Sequence, residues 1–175
     1  MKRKLLISLF VILSLFVISA CGKKEEPKKN KKEEVKLASD EVILENIKYK
    51  LDQDDSEYGI TYKIASNFRK SVMINAVNYF SENIDDSPYF VIRIYQYPNK
   101  DIEYAIKDSV ETVEKREQVT VGDKEYTKVY FTNYNGAHTH LFYYTNNKTT
   151  YTFVFTAHID LSRLEDIFLE NIVYE

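Results

Sequence analysis

Residues 117 to 158 read EQVTVGDKEYTKVYFTNYNGAHTHLFYYTNNKTTYTFVFTAH, and the reading of this stretch decides the fold. Apolar and polar residues alternate through it with a period of two, which sends successive side chains to opposite faces of a strand. Gly122-Asp123, Asn135-Gly136 and Asn146-Asn147 punctuate the alternation, and these residue types tolerate the positive φ that tight turns between twisted strands require. The stretch therefore predicts strands over 117 to 121, 125 to 134, 137 to 145 and 149 to 158, each antiparallel to the next. Hairpins of this kind exclude the parallel, doubly wound sheets of nucleotide-binding folds.

Working outward, VILENIKYK (42 to 50), GITYKIAS (59 to 66), SVMINAVNYFS (71 to 81) and YFVIRIYQY (89 to 97) are further β-favouring runs. Acidic Asp52 to Glu57 and Asp85-Asp86-Ser87-Pro88 read as the loops between them. In the last run Phe90, Ile92 and Ile94 alternate with Val91, Arg93 and Tyr95, so both faces are expected to be partly covered. The period then changes: Ile102, Ala105, Ile106, Val110 and Val113 follow helical spacing behind a candidate Asp101 N-cap, predicting an amphipathic helix of three to four turns. A second helix is expected from about Leu161 to Asn171, with Leu161, Leu164, Ile167, Phe168 and Ile172 as its buried stripe. The sum is a single α+β domain over residues 41 to 175, an antiparallel sheet of about six to eight strands covered by two helices.

The N-terminal forty residues have a different composition. Lys2, Arg3 and Lys4 precede sixteen residues, Leu5 to Ala20, in which only three serines are polar, and the run ends at Cys21-Gly22. That is shorter than the roughly 20 apolar residues of a membrane-spanning helix and has the layout of a secretory signal. Ile18-Ser19-Ala20-Cys21-Gly22 resembles the lipobox of bacterial lipoproteins. The resemblance implies cleavage between Ala20 and Cys21, a diacylglyceryl group and an N-acyl chain on Cys21, and a chain anchored on the extracytoplasmic face of the cell membrane. Two acyl signals hold a protein at a membrane stably where one binds only marginally. Residues 22 to 40, GKKEEPKKNKKEEVKLASD, contain no aromatic side chain and too little apolar surface to fold alone, so residues 21 to 40 read as a flexible charged tether. Seven lysines against four glutamates over residues 23 to 36 also give this tether some attraction for anionic lipid.

The domain itself looks like the PsbP-like domain of small extracytoplasmic lipoproteins of low-GC Gram-positive bacteria. The segments that carry the likeness are GITYKIASNF (59 to 68), YFVIRIYQYPNKDIEYAI (89 to 106) and YTFVFTAHIDLSRLEDIFLENI (151 to 172). The resemblance implies an α/β/α sandwich around an antiparallel sheet and a role in binding or assembly; it supplies no shared catalytic set.

Composition narrows the chemistry. Residues 41 to 175 hold 14 Lys and Arg against 22 Asp and Glu, a net charge of −8, which has the wrong sign for a nucleic-acid partner. Cys21 is the one cysteine, so an intramolecular disulfide or a CxxC site is impossible. Asp52, Asp54, Asp55 and Glu57 do not make an EF-hand, because the sixth position from Asp52 is Glu57 and the twelfth is Lys63. Asp85-Asp86 reads as a solvated turn. His138 and His140 form an HxH whose rings share a strand face, a spacing open to two metal ligands or to two packed histidines. His158 joins that face only if residues 146 to 148 form a three-residue loop; the two-residue Asn146-Asn147 turn is preferred, placing His158 opposite and His140 beside Phe153. Tyr126, Tyr130, Tyr134, Tyr143 and Tyr144 are candidates for an aromatic ligand surface, although strands favour tyrosine on packing grounds alone. The expectation is a membrane-anchored, non-catalytic binding or assembly module with an envelope protein partner and no cofactor beyond the lipid. The alternative is a metal-binding protein or enzyme centred on His138 and His140.

Overall fold

A computed structural model describes residues 36–44, 47–81 and 90–175. The expected signal segment, the Ala20-Cys21 cleavage and lipidation site, nearly all of the tether and the Asp85-Asp86 pair lie outside these residues. Strands β1 (Glu41–Leu44), β2 (Ile47–Glu57), β3 (Ile60–Ala65), β4 (Phe68–Val72), β5 (Ala76–Ser81) and β6 (Phe90–Pro98) lead into helix α1 (Ile102–Ser109). Strands β7 (Lys115–Val121), β8 (Lys124–Thr132), β9 (His138–Asn146) and β10 (Thr149–Ala157) precede helix α2 (Ser162–Glu170) and the short β11 (Val173–Tyr174). These elements belong to one compact unit, Leu37–Glu175.

The architecture is α+β and its paired strands are antiparallel, as the hairpin chemistry predicts. The expected single sheet is instead two: a four-stranded sheet in the order β1-β2-β3-β11 and a seven-stranded sheet in the order β4-β5-β6-β10-β9-β8-β7. The N-terminal runs leave the main sheet because their apolar faces cover it. Val42, Tyr49, Leu51, Ile60, Tyr62 and Ile64 of the small sheet share one buried cluster with Tyr79, Ile92, Ile94, Phe153 and Phe155 of the large sheet and Leu164 and Phe168 of α2. The hydroxyls of Tyr62 and Tyr79 meet at 2.6 Å across the sheets, which satisfies polar groups that burial would otherwise leave unpaired.

Three local expectations are corrected. The acidic segment Asp52 to Glu57 is the second half of β2, with Asp54 beside Lys63 and Glu57 beside Ile60. It extends because its carboxylates are paired with lysines: Lys63 lies 2.7 Å from Asp54, and Lys70 lies 2.9 Å from Asp55 and 2.8 Å from Glu57. The 71 to 81 run is broken by a turn, closed by the Met73 amide donating to the Ala76 carbonyl at 2.8 Å, into the hairpin β4–β5. Helix α1 has the Asp101 N-cap, whose carboxylate accepts from the Tyr104 amide at 2.8 Å, but stops after two turns. It ends early because Lys115 must already pair with Tyr130 to form the edge strand β7.

Register fixes what each face meets. The β9–β10 turn is Asn147-Lys148, both with positive φ (46 and 66°), and not Asn146-Asn147. His140 therefore stands opposite Phe155 instead of Phe153, while Phe142 faces Phe153. A two-residue displacement keeps every side chain on its face, so the choice rests on which rows interlock, and this one places three aromatic pairs in the shared core. Diagonally across these pairs Phe142 and Phe155 meet edge to face with centroids 5.7 Å apart, and Phe155 meets Phe168 of α2 in the same way at 5.7 Å. The opposite face of the large sheet is covered by α1, whose Ala105 and Ile106 pack on Val129, Leu141 and Tyr143, with Tyr97 of β6 and Val154 of β10 against the same cluster.

Candidate functional site

The part of that second face beyond the end of α1 is concave. A groove of about 290 Å³ runs from Arg93 and Tyr95 past Tyr97 to Asn133, with Thr139 and Thr156 on its floor. The strand alternation builds it. Ile92 and Ile94 face the shared core, so Arg93 and Tyr95 must face outward. Arg93 Nε donates to Asn78 Oδ1 on β5, and Nη1 donates to the Tyr95 hydroxyl at 3.0 Å, which hold the guanidinium in place. The hydroxyls of Thr139 and Thr156, opposite each other on β9 and β10, are 3.1 Å apart. At the helix end Ser109 donates to the Ala105 carbonyl at 2.7 Å and lies 3.1 Å from the Tyr97 hydroxyl. A second hollow of about 430 Å³ continues from Ser109, Phe131 and Asn133 to Tyr134.

On the core face, where β8 and β9 pass under α2, lies a cluster of charged groups. Glu165 is almost wholly buried, and its two oxygens are shared: Lys128 Nζ at 2.8 Å and His140 Nδ1 at 2.5 Å. Since a carboxylate only accepts, the histidine donates through Nδ1. The Tyr130 ring meets the His140 ring edge to face at 4.7 Å, and the Tyr130 hydroxyl donates to Glu117 on the edge strand. Burial, reinforced by this bond to Glu117, pushes the Tyr130 hydroxyl well above its ordinary pKa. Lys128 also lies over the Tyr130 and Phe142 rings, 4.9 and 4.6 Å from their centroids. Ser162, through its amide and hydroxyl, holds the Asp160 carboxyl below its ordinary pKa, with weaker attraction from His140 and Lys128.

The residues singled out in the sequence are distributed between these places. His138 and His140 do share a face, but His138 is exposed and His140 is committed to Glu165 through one nitrogen. His158 is exposed and on the other face, because Ala157 is the residue opposite His138. Among the described residues no three His, Cys, Asp or Glu side chains are placed to hold a metal ion. The five tyrosines do not form one surface. Tyr126 and Tyr143 are fully buried on opposite faces, Tyr130 and Tyr144 are half-buried on the core face, and Tyr134 alone stands free in the β8–β9 turn. The reason is parity: Tyr143 and Tyr144 are sequence neighbours and must point apart. Burial pushes the Tyr126 hydroxyl up to about 12.

Arg93, Thr139, Thr156, Lys128 and Glu165 were not among the sequence candidates. Glu165 carried a readable signal, since it falls one turn after Leu161 and three residues before Phe168, inside the apolar stripe of α2. The groove carried none, because it is assembled from β6, β8, β9, β10 and the end of α1.

Among the described residues no helix is long and apolar enough to cross a membrane. No family model matches the sequence, and no curated protein matches it. A crystal structure of a protein from Bacteroides thetaiotaomicron VPI-5482 is similar over 67% of this chain and 45% of that one, with 13% identity and a TM-score of 0.48. This chain thus spans less than half the length of that similar protein.

Proposed function

We propose that the chain is a membrane-anchored extracytoplasmic lipoprotein whose PsbP-like domain is a non-catalytic binding or assembly module of the cell envelope. The observation that carries the binding role is the half-covered face of the seven-stranded sheet, where two continuous hollows present positioned polar side chains beside α1. The placement of α1 on one face of that sheet and α2 on the other supports the PsbP-like reading of the fold. The anchor rests on the lipobox-like residues around Cys21. Intact mass of the membrane-extracted protein tests the anchor: a diacylglyceryl-bearing chain starting at Cys21 is expected, and an unmodified chain starting at Met1 refutes it. Capture from envelope extract by the anchored protein tests the binding role. A partner should be enriched by the native protein and lost with Tyr134→Ala and Asn133→Ala together; no enrichment over a peptide of residues 23 to 36 refutes it.

The alternative, a metal-binding protein or enzyme centred on His138 and His140, draws on one observation. A carboxylate that fixes Nδ1 of a histidine leaves Nε2 oriented, as in the outer shell of many metal sites. Zinc titration against a His138→Ala, His140→Ala double variant decides it, and equal affinity for the two proteins refutes it.

A further inference from the structure

Lys63, Arg93, Lys124 and Lys128 are cations drawn partly or wholly into the fold. Three have a carboxylate partner: Lys63 has Asp54 at 2.7 Å, Lys124 has Asp123 at 2.9 Å and Lys128 has Glu165 at 2.8 Å. Arg93 has none among the described residues and is held only by neutral groups, Asn78 and the Tyr95 hydroxyl. A guanidinium has five N–H donors in a planar fork, so two bonds leave three donors for another acceptor. A half-buried cation without a counter-charge is unfavourable by itself, and the geometry that holds it is the geometry of a receptor for an oxyanion.

The surroundings define the rest of the ligand. The groove beside Arg93 is walled by the Tyr95 and Tyr97 rings, floored by the Thr139 and Thr156 hydroxyls and closed by Asn133, with one carboxylate, Asp108, on its rim at the end of α1, where it faces Tyr97 and forms no ion pair with Arg93. Aromatic faces beside paired hydroxyls and an amide match a body with both C–H faces and hydroxyls. We propose that the groove binds a small polyhydroxylated ligand bearing a carboxylate or phosphate, with the oxyanion seated on the Arg93 fork. The inference rests on the reading of this face as the binding surface and adds the ligand class.

The test is a titration of the full chain, extracted in detergent micelles, followed by amide NMR shifts with glucuronate, inorganic phosphate and glucose as probes. Glucuronate should give saturable shifts confined to Tyr95, Tyr97, Thr139 and Thr156, with glucose weaker by about tenfold or more. Phosphate acting at the same amides as strongly as glucuronate assigns the site to a phosphate-bearing ligand; phosphate weaker than glucuronate assigns it to a sugar carboxylate. Arg93→Gln should weaken the anions by about tenfold or more and leave glucose unchanged. Thr156→Val, which leaves the Asn78–Arg93–Tyr95 contacts intact, should weaken glucuronate and guards against loss of fold in the first variant. Absence of saturable shifts from either anion, or equal affinity in Arg93→Gln, overturns the proposal. Envelope capture by Arg93→Gln separates the two readings: retained capture without anion binding removes this inference and leaves the binding module standing.

Discussion

Asp55 shows how a single carboxylate is drawn into the fold. Burial raises its pKa, but hydrogen bonds from Lys70 and Tyr79 and the Ser56 amide outweigh burial and hold it below its ordinary value. A carboxylate depressed in the folded state stabilises at pH values above its unfolded pKa of about 4, and the contribution disappears as pH falls through the folded value. Asp55→Asn should therefore lower the melting temperature at neutral pH, and the gap to the native protein should close in acid, as differential scanning calorimetry across pH would record. A gap independent of pH would mean that the side chain acts through shape and not through charge. At the β9–β10 turn, Lys148 occupies positive φ, which disfavours side chains with a Cβ by about 1–2 kcal/mol. Lys148→Gly should stabilise the protein by up to about 1 kcal/mol and Lys148→Val should destabilise it, measured by urea unfolding.

At the scale of elements, α2 is the piece that joins the two sheets. Leu164, Phe168 and Leu169 are fully buried, and Phe168 meets Tyr62, Phe153 and Phe155 at ring distances of 5.5, 6.2 and 5.7 Å. Phe168→Ala should cost about 3–5 kcal/mol, the range for an aromatic lost from a close-packed core. The charged cluster on the same helix should behave differently. Removing one partner of Lys128–Glu165 strands a buried charge, so Glu165→Leu or Lys128→Met alone should cost about 3–5 kcal/mol, whereas the double variant should recover most of that loss. Additive losses in the double-mutant cycle would mean that the two side chains are not energetically paired. This contrast was half legible in the sequence: the apolar stripe of α2 reads directly from its spacing, and Glu165 sits inside it, but its partner 37 residues away on β8 does not.

For the whole molecule, the shared core has a thermodynamic consequence. Residues of both sheets and of α2 pack in one buried cluster, so the four-stranded sheet has no separate core on which to survive. Thermal unfolding of the domain should be a single transition with equal calorimetric and van't Hoff enthalpies, and Tyr62→Ala at the junction should lower it without splitting it. Two resolved transitions would refute the single core. The sequence by itself determined the antiparallel hairpins, the two helices, the acidic character of the domain and the compositional break at residue 40, because each is written in local periodicity, turn chemistry or charge. It did not determine that the strands divide into two sheets, which turn residues close β9–β10, or that Glu165 and Arg93 stand at the two polar places of the fold. Those are decided by which apolar rows interlock across distant strands, and a period of two along one strand states which side chains share a face without stating what that face will meet.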